Sequence, residues 1–430
     1  TYPIDDNSLN TTPTRTTAYM DRRKTFIDST VSNTGSNIKG LQLFIADLRA
    51  SQQSEDQHKR IQSEIVKIKQ HFNSTTTNGR ILGNDKLDGY QRKKYIAKLA
   101  YIYITSNTTM LNEIIFGLNE IVELTKSNVF SEKFMGYMTL ELLYRHPIVV
   151  SKINDNVISQ LIKDIGSTND DFTELGLNFV GVASGLTKQL SANLDLVSEV
   201  FQILRSPTSS LYLKKKSTLA FLSLLRSNNS ILSDDVQRRR LWIQRILSLL
   251  DDTDNYRLTL TTLPLVEYIA KNIDPSSFTR LIPQLSEILY KCVVVSTSGS
   301  RNNDFPEEYR FANMPNPWLI TKIVSLLNSL IISPSEIERN NGLFDSGLIH
   351  TNNIDSETLG KLRMCVMEAI NLGTRRTADP MEKIVQNTIL FSLINFASKL
   401  DPSHEAIINS ATALCNLLTS NDINVRYLAL

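Results

Sequence analysis

Cysteine is scarce in this chain. Three residues in 430, Cys292, Cys365 and Cys415, stand far apart within helical patterns. That spacing suits neither a disulfide framework nor a zinc site, so a reducing, cytosolic setting is expected. No apolar run approaches the roughly 20 residues of a spanning helix, and no secretory leader is read at Thr1. Charge of one sign is not in excess: 46 Lys and Arg against 44 Asp and Glu leave a formal net charge of +2. Wholesale nucleic-acid binding by bulk electrostatics is therefore excluded, and any anion site has to be local. Catalytic patterns are missing as well. His58, His71, His146, His350 and His404 are scattered, with neither HExxH nor an i, i+4 pair. There is no phosphate-binding GxxxxGK loop, no GxGxxG after a strand and no GxSxG elbow. The expectation is a protein that is not an enzyme and carries no metal or cofactor.

What is present is helix. At 430 residues, 41% hydrophobic and 21% charged, the chain is folded protein too long for one core of roughly 250–300 residues. It has to be several domains or an elongated repeat. Residues 1–35 ("DDNSLNTTPTRTT", "DSTVSNTGS") lack apolar periodicity and suggest an extended or disordered arm. From Ile38 onward apolar residues recur at helical spacing: Leu41, Phe44, Ile45, Leu48, then Ile61, Ile65, Ile68, then Ile96, Leu99, Ala100, Tyr103. Ser131 before "EKFMGYM" predicts a helix capped at that serine, with Glu132 in its first turn.

A repeat then appears. "GYMTLELL" begins at Gly136, "GLNFVGVA" at Gly176, "STLAFLSLL" at Ser217 and "LTLTTLPLV" at Leu258, in steps of 40, 41 and 41 residues. Each is followed by a second apolar helix: "NDNVISQLIKDI", "NLDLVSEVFQIL", "QRRRLWIQRILSLL" and "FTRLIPQLSEIL". A period near 40 built of helix pairs predicts an all-α, HEAT/armadillo-like α-solenoid superhelix, because one pair cannot bury its own apolar face. The expected trunk covers 36–430, with a projecting polar, proline-rich loop at about 295–317. The chain stops as another helix begins, which suggests the N-terminal part of a longer protein.

Three basic clusters stand out. Lys214-Lys215-Lys216 and Arg238-Arg239-Arg240 open repeat helices and read as solvated helix ends or inter-repeat ion pairs. "LDGYQRKKYIAKL" is built differently, with four cations and two tyrosines between Tyr90 and Lys98. Asp88 is placed to cap a helix. Tyr90, Lys94 and Lys98 then share one face, Arg92 and Lys93 complete a positive collar, and Ile96, Leu99 and Ala100 form the buried side. Cations oppose the dipole of a helix start, while a phosphate suits free N–H groups with Lys, Arg and Tyr donors. Pattern alone leaves a solvated face and an anion site equally open.

These residues carry a resemblance. "GLQLFIADLR" (40–49), "LDGYQRKKYIAKL", "FSEKFMGYM" (130–138), "NPWLITKIVSLL" (316–327) and "NVRYLAL" (424–430) resemble the alpha-adaptins, large subunits of the clathrin adaptor at the plasma membrane, in order and context. The likeness runs from about Ile38 to Leu430. The related gamma chains lack the "LDGY" basic signature and the Pro315-Asn316-Pro317-Trp318-Leu319 form.

The resemblance implies a non-catalytic trunk in a heterotetramer with a beta-type large chain, a medium mu and a small sigma subunit. It places the protein in the cytosol and at clathrin-coated pits on the cytoplasmic face of the plasma membrane. It also implies that Lys39, Tyr90, Arg92, Lys93, Lys94, Tyr95 and Lys98 bind phosphatidylinositol 4,5-bisphosphate or inositol hexakisphosphate. Arg49 is implied to help sigma select acidic dileucine cargo tails. Two departures touch the edge of the lipid site: His71 falls where the family has a basic residue, and the linker 73–86 is longer, leaving Arg80 and Lys86 to compensate. Four cations at about 1 kcal/mol each give on the order of 4 kcal/mol, a millimolar contact that needs partner sites acting with it. The alternative from another class is a karyopherin-type transport receptor, which would need an acidic inner surface.

Overall fold

The computed structural model describes residues 35–50, 54–73, 87–106, 110–297, 306–333, 336, 347–400 and 403–430. The arm 1–34 and the linker 74–86 lie outside the described residues. Within the chain two compact units are distinguished, divided between Gln160 and Leu161. Both are stacked helix pairs, as the repeat predicts. Strands among the described residues are two-residue pieces: β1 (Arg310–Phe311) with β2 (Met314–Pro315), antiparallel, and β3 (Ile331–Ile332) with β4 (Ile349–His350), parallel.

The amino-terminal unit contains α1 (Gly35–Ala50), α2 (Ser54–Asn73), α3 (Gly89–Thr105), α4 (Leu118–Thr125) and α5 (Phe130–Leu143). The division between the units falls within α6 (Pro147–Ile165). Helix α3 is the hub, packed on α1, α2, α4 and α5. Its apolar stripe, Ile96, Leu99, Ala100 and Tyr103, is 0–5% exposed, and it meets Phe44, Ile65, Ile68 and Phe72 of the preceding helices, all buried. Helix α5 starts one residue before the expected cap. It begins at Phe130 after Val129, which makes no side-chain cap. Ser127 instead braces the approach to the helix: its Oγ accepts from the Val129 N–H at 3.1 Å and donates to the Glu132 carboxylate at 2.6 Å.

In the carboxy-terminal unit the first helices are α7 (Asp170–Ala183), α9 (Leu211–Ser227), α11 (Tyr256–Asn272), α13 (Pro317–Leu330) and α15 (Pro380–Ala397). Each packs on the next to form one layer. The second helices are α8 (Leu194–Arg205), α10 (Val236–Ser248), α12 (Ile282–Tyr290) and α14 (Ser356–Thr374), followed by α16 (His404–Leu417) and α17 (Ile423–Ala429). Local chemistry explains their starts. Asn169, Asn193, Ser210, Asp235, Asn255 and Asp355 each accept a first-turn N–H, as N-caps do.

The repeat has a recurring small position. A Cβ on Gly136 would lie 2.9 Å from the Thr125 backbone nitrogen, and one on Gly176 2.9 Å from Ile165 Cγ1. At the third repeat Ser217 stands there, its Oγ donating to the Val200 carbonyl at 2.6 Å. A first helix thus crosses the preceding one too closely for a larger side chain.

The expected projecting loop is corrected where it is described. Lys291–Val295 continues α12 as a π turn. Residues 306–316 fold back as a hairpin, Tyr309 edge-on to Tyr256 of α11 (5.3 Å, 86°), with Met314 3% exposed. Its turn holds Ala312 and Asn313 at φ 47° and 60°, the left-handed pair that a tight hairpin turn requires. The polar composition conceals these anchors.

Candidate functional site

Asp88 caps α3 as its spacing predicts (φ −69°, ψ 161°), its carboxylate accepting the Gln91 N–H at 2.6 Å. Gly89 follows for a reason invisible in the sequence. A Cβ there would collide with the carboxylate of Glu132, which reaches across from the first turn of α5. A carboxylate beside an α-helix start is favourable.

The four cations then divide into two pairs. Arg92 Nε donates to Glu120 of α4 at 2.5 Å, both side chains 19% exposed. Lys98, expected on the open face with Tyr90 and Lys94, is buried instead. Its Nζ lies 2.5 Å from Glu64 of α2, whose other oxygen takes Arg60 at 3.1 Å. Both cations also stand over the ring of Phe44, at 5.5 and 5.4 Å. Two turns into α3 the helix has already entered the core, so the face that is open at Lys94 is closed at Lys98. Burial acts to raise the Glu64 carboxyl, but the hydrogen bond and charge of Lys98, then Arg60, outweigh it and hold the group below the ordinary glutamate range.

Lys93 and Lys94 remain at the surface, their stems half-buried. Lys93 Nζ donates to Ser131 Oγ at 3.1 Å and stands 6.0 Å from the centre of the Tyr90 ring. Lys94 Nζ lies 4.8 Å over Tyr95, and its Cδ would be 3.3 Å from a Cβ on Gly40 of α1. Neither ammonium pairs with a carboxylate among the described residues. Tyr95 is stacked on His71 at 4.9 Å and 16° and meets the edge of Phe72. Burial, then the charge of Glu64, pushes its hydroxyl above the usual tyrosine value, so it stays a donor.

The structure therefore brings together Tyr90, Lys93, Lys94 and Tyr95, with His71 beside them. It commits Arg92 and Lys98 elsewhere. The backbone of Lys39 lies in α1, but its side chain is outside the described residues, as are Arg80 and Lys86. Arg49 is exposed in the last turn of α1, where a cation suits the helix dipole.

The other clusters behave as solvated ends and inter-repeat pairs. Lys216 of α9 bonds Asn178 of α7 at 2.9 Å and lies 3.8 Å from Glu174. Arg238 pairs with its own cap, Asp235, at 3.4 Å. Lys215 is held below the usual lysine value by burial, then by Arg257 and Lys216.

Two residues that shape the site are not singled out by the sequence, Glu64 and Glu120, and Glu132, expected in the first turn of its helix, is not placed beside the basic cluster by any sequence signal. One signal was available for Glu64, which sits three residues after Ile61 and four before Ile68, inside the apolar stripe of α2. A glutamate in that place requires a buried cation. Glu120 and Glu132 carry no such mark.

The adaptin N-terminal region, as a family, matches residues 57–430 of this chain. The AP-2 complex subunit alpha of Saccharomyces cerevisiae is 68% identical over 413 residues, covering 96% of this chain and 39% of that protein. The AP-2 complex subunit alpha-2 of Dictyostelium discoideum is 27% identical over 92% of this chain and 34% of its own length. The AP-2 complex subunit alpha of Schizosaccharomyces pombe is 25% identical over 92% of this chain and 38% of its own. The chain thus spans less than half the length of these curated relatives.

Proposed function

The chain belongs to the adaptins, on the side of their alpha large subunits, and from that premise we propose that its amino-terminal unit takes an inositol phosphate headgroup on Lys93 and Lys94. The observation that carries this reading is the adjacency of two lysines whose ammonium groups lie 6.0 Å and 4.8 Å from the Tyr90 and Tyr95 rings and pair with no carboxylate among the described residues. The family match also decides against the karyopherin-type alternative. A membership in a clathrin adaptor complex follows from the family. The finer assignment is the proposal: a heterotetramer with beta, mu and sigma chains, acting in endocytosis at the plasma membrane. No helix among the described residues is long and apolar enough to cross a membrane.

Two open lysines instead of four cations halve the expected contribution, to about 2 kcal/mol. Substituting Lys93→Gln and Lys94→Gln together lowers the affinity of the intact complex for vesicles containing phosphatidylinositol 4,5-bisphosphate roughly 30-fold. Sedimentation at physiological salt measures it, with inositol hexakisphosphate titrated in parallel. Binding within threefold of the parent would overturn the site.

Arg49 is proposed to pair with the acidic residue of a dileucine signal held by a sigma subunit. Its exposure limits its share. Arg49→Ala weakens binding of such a peptide by at most about fivefold and leaves vesicle binding unchanged. A loss of vesicle binding equal to the peptide loss would contradict this separation.

A further inference from the structure

We infer that Glu132 is an internal anion that competes with phosphate at the Lys93–Lys94 site and holds its affinity down; the inference rests on the headgroup reading above. Gly89 and Lys93 are four residues apart on α3, so the carboxylate lying against Gly89 sits one turn from the position of Lys93 on the helix. The Lys93 ammonium bonds Ser131, the residue before Glu132, without pairing with the carboxylate itself. The segment from Ser127 to Glu132 meets the same helix start at two points, with one internal hydrogen bond that fixes the carboxylate. Ser127 holds the Glu132 carboxylate at 2.6 Å, Ser131 accepts from Lys93 at 3.1 Å, and the missing side chain of Gly89 leaves room for the carboxylate. Asp88 caps the helix and Glu120 takes Arg92. An incoming phosphate therefore finds the helix end already occupied by carboxylates, and the lysines are the part still able to respond.

The consequence is a site kept weak by design of its surroundings. Weak binding is what a membrane contact needs if several contacts act together and release together. Repulsion from Glu132 grows with ligand charge and shrinks with salt. Removing it favours inositol hexakisphosphate more than a singly phosphorylated ring.

The test uses the intact complex with Glu132→Gln, which keeps an acceptor for Ser127. Inositol hexakisphosphate titration and vesicle sedimentation should show affinity raised roughly threefold to tenfold at physiological salt, the gain fading at high salt. The melting midpoint should fall by about 1–3 °C, because a charge favourable to α3 is gone. Tighter binding with lower stability is a pair of signs that a purely structural glutamate does not produce. Ser127→Ala, which releases the carboxylate, must move affinity in the same direction by less. If Glu132→Gln leaves affinity unchanged or weaker while Lys93→Gln with Lys94→Gln lowers it as expected, the competing role of Glu132 is wrong and the site stands. If the lysine variant also binds normally, both fail.

Discussion

Lys98→Ala should destabilise the amino-terminal unit by about 3 kcal/mol, the low end of the 3–5 kcal/mol for breaking a buried ion pair. The cost arises on the partner. Glu64 keeps only Arg60, whose side chain is 31% exposed and also reaches toward Asp47 at 3.2 Å. Phe44 loses a cation from its face as well. Chain segments from α1, α2 and α3 meet at this cluster, so its loss loosens all three. The unit contains neither of the two tryptophans, Trp242 and Trp318, so amide exchange in α3 is the suitable readout. Lys98→Met with Glu64→Leu should recover most of the loss, since an apolar pair carries no desolvation cost. A single-variant loss under 1 kcal/mol would show that the pair is not a structural element.

The pH dependence follows from the sign of the Glu64 shift. Its folded value lies below the unfolded one. The stabilisation is therefore complete above the ordinary glutamate range and is lost as pH falls through the lower folded value. The difference between parent and Lys98→Ala should accordingly narrow on acidification. A corollary concerns lipid binding. Reversing Lys98 together with Lys93 and Lys94 would abolish binding partly by unfolding α3, so only the two open lysines give an interpretable experiment.

Phe221→Ala should cost the carboxy-terminal unit about 3–5 kcal/mol. The ring is 0% exposed and sits in an aromatic cluster, 5.2 Å from Phe201 and 5.6 Å from Trp242. Phe201 and Trp242 are themselves stacked at 4.1 Å and 8°. These rings tie α8, α9 and α10 together where one repeat packs on the next, and truncation leaves a void that stiff helices cannot close. Both tryptophans lie in this unit, so denaturant unfolding followed by fluorescence reports on it directly. A loss below about 1.5 kcal/mol would mean that the cluster repacks.

Much of this architecture was legible beforehand because its causes are local. Apolar spacing marked Ile96, Leu99 and Ala100 as buried, and Asp88 as a cap, since both signals act within one helical turn. The spacing of Gly136, Gly176 and Ser217 revealed the repeat, because the same close crossing recurs at each step. Misreadings came from places where a distant segment decides. Ser131 looked like a cap until Ser127 and Glu132 paired. The segment 306–316 looked like a projecting loop, although Tyr309 and Met314 anchor it to α11 and the core.

By itself the sequence determined an all-α chain of stacked helix pairs, the position of a basic helix start and its cap. Those follow from periodicity and from hydrogen bonds between near neighbours. Which lysines remain open was decided only by tertiary structure. Glu64 lies 34 residues from Lys98 and Glu120 lies 28 residues from Arg92, so ion pairing between separate helices, not the charge pattern along one, divides the cluster into two structural cations and two that face solvent.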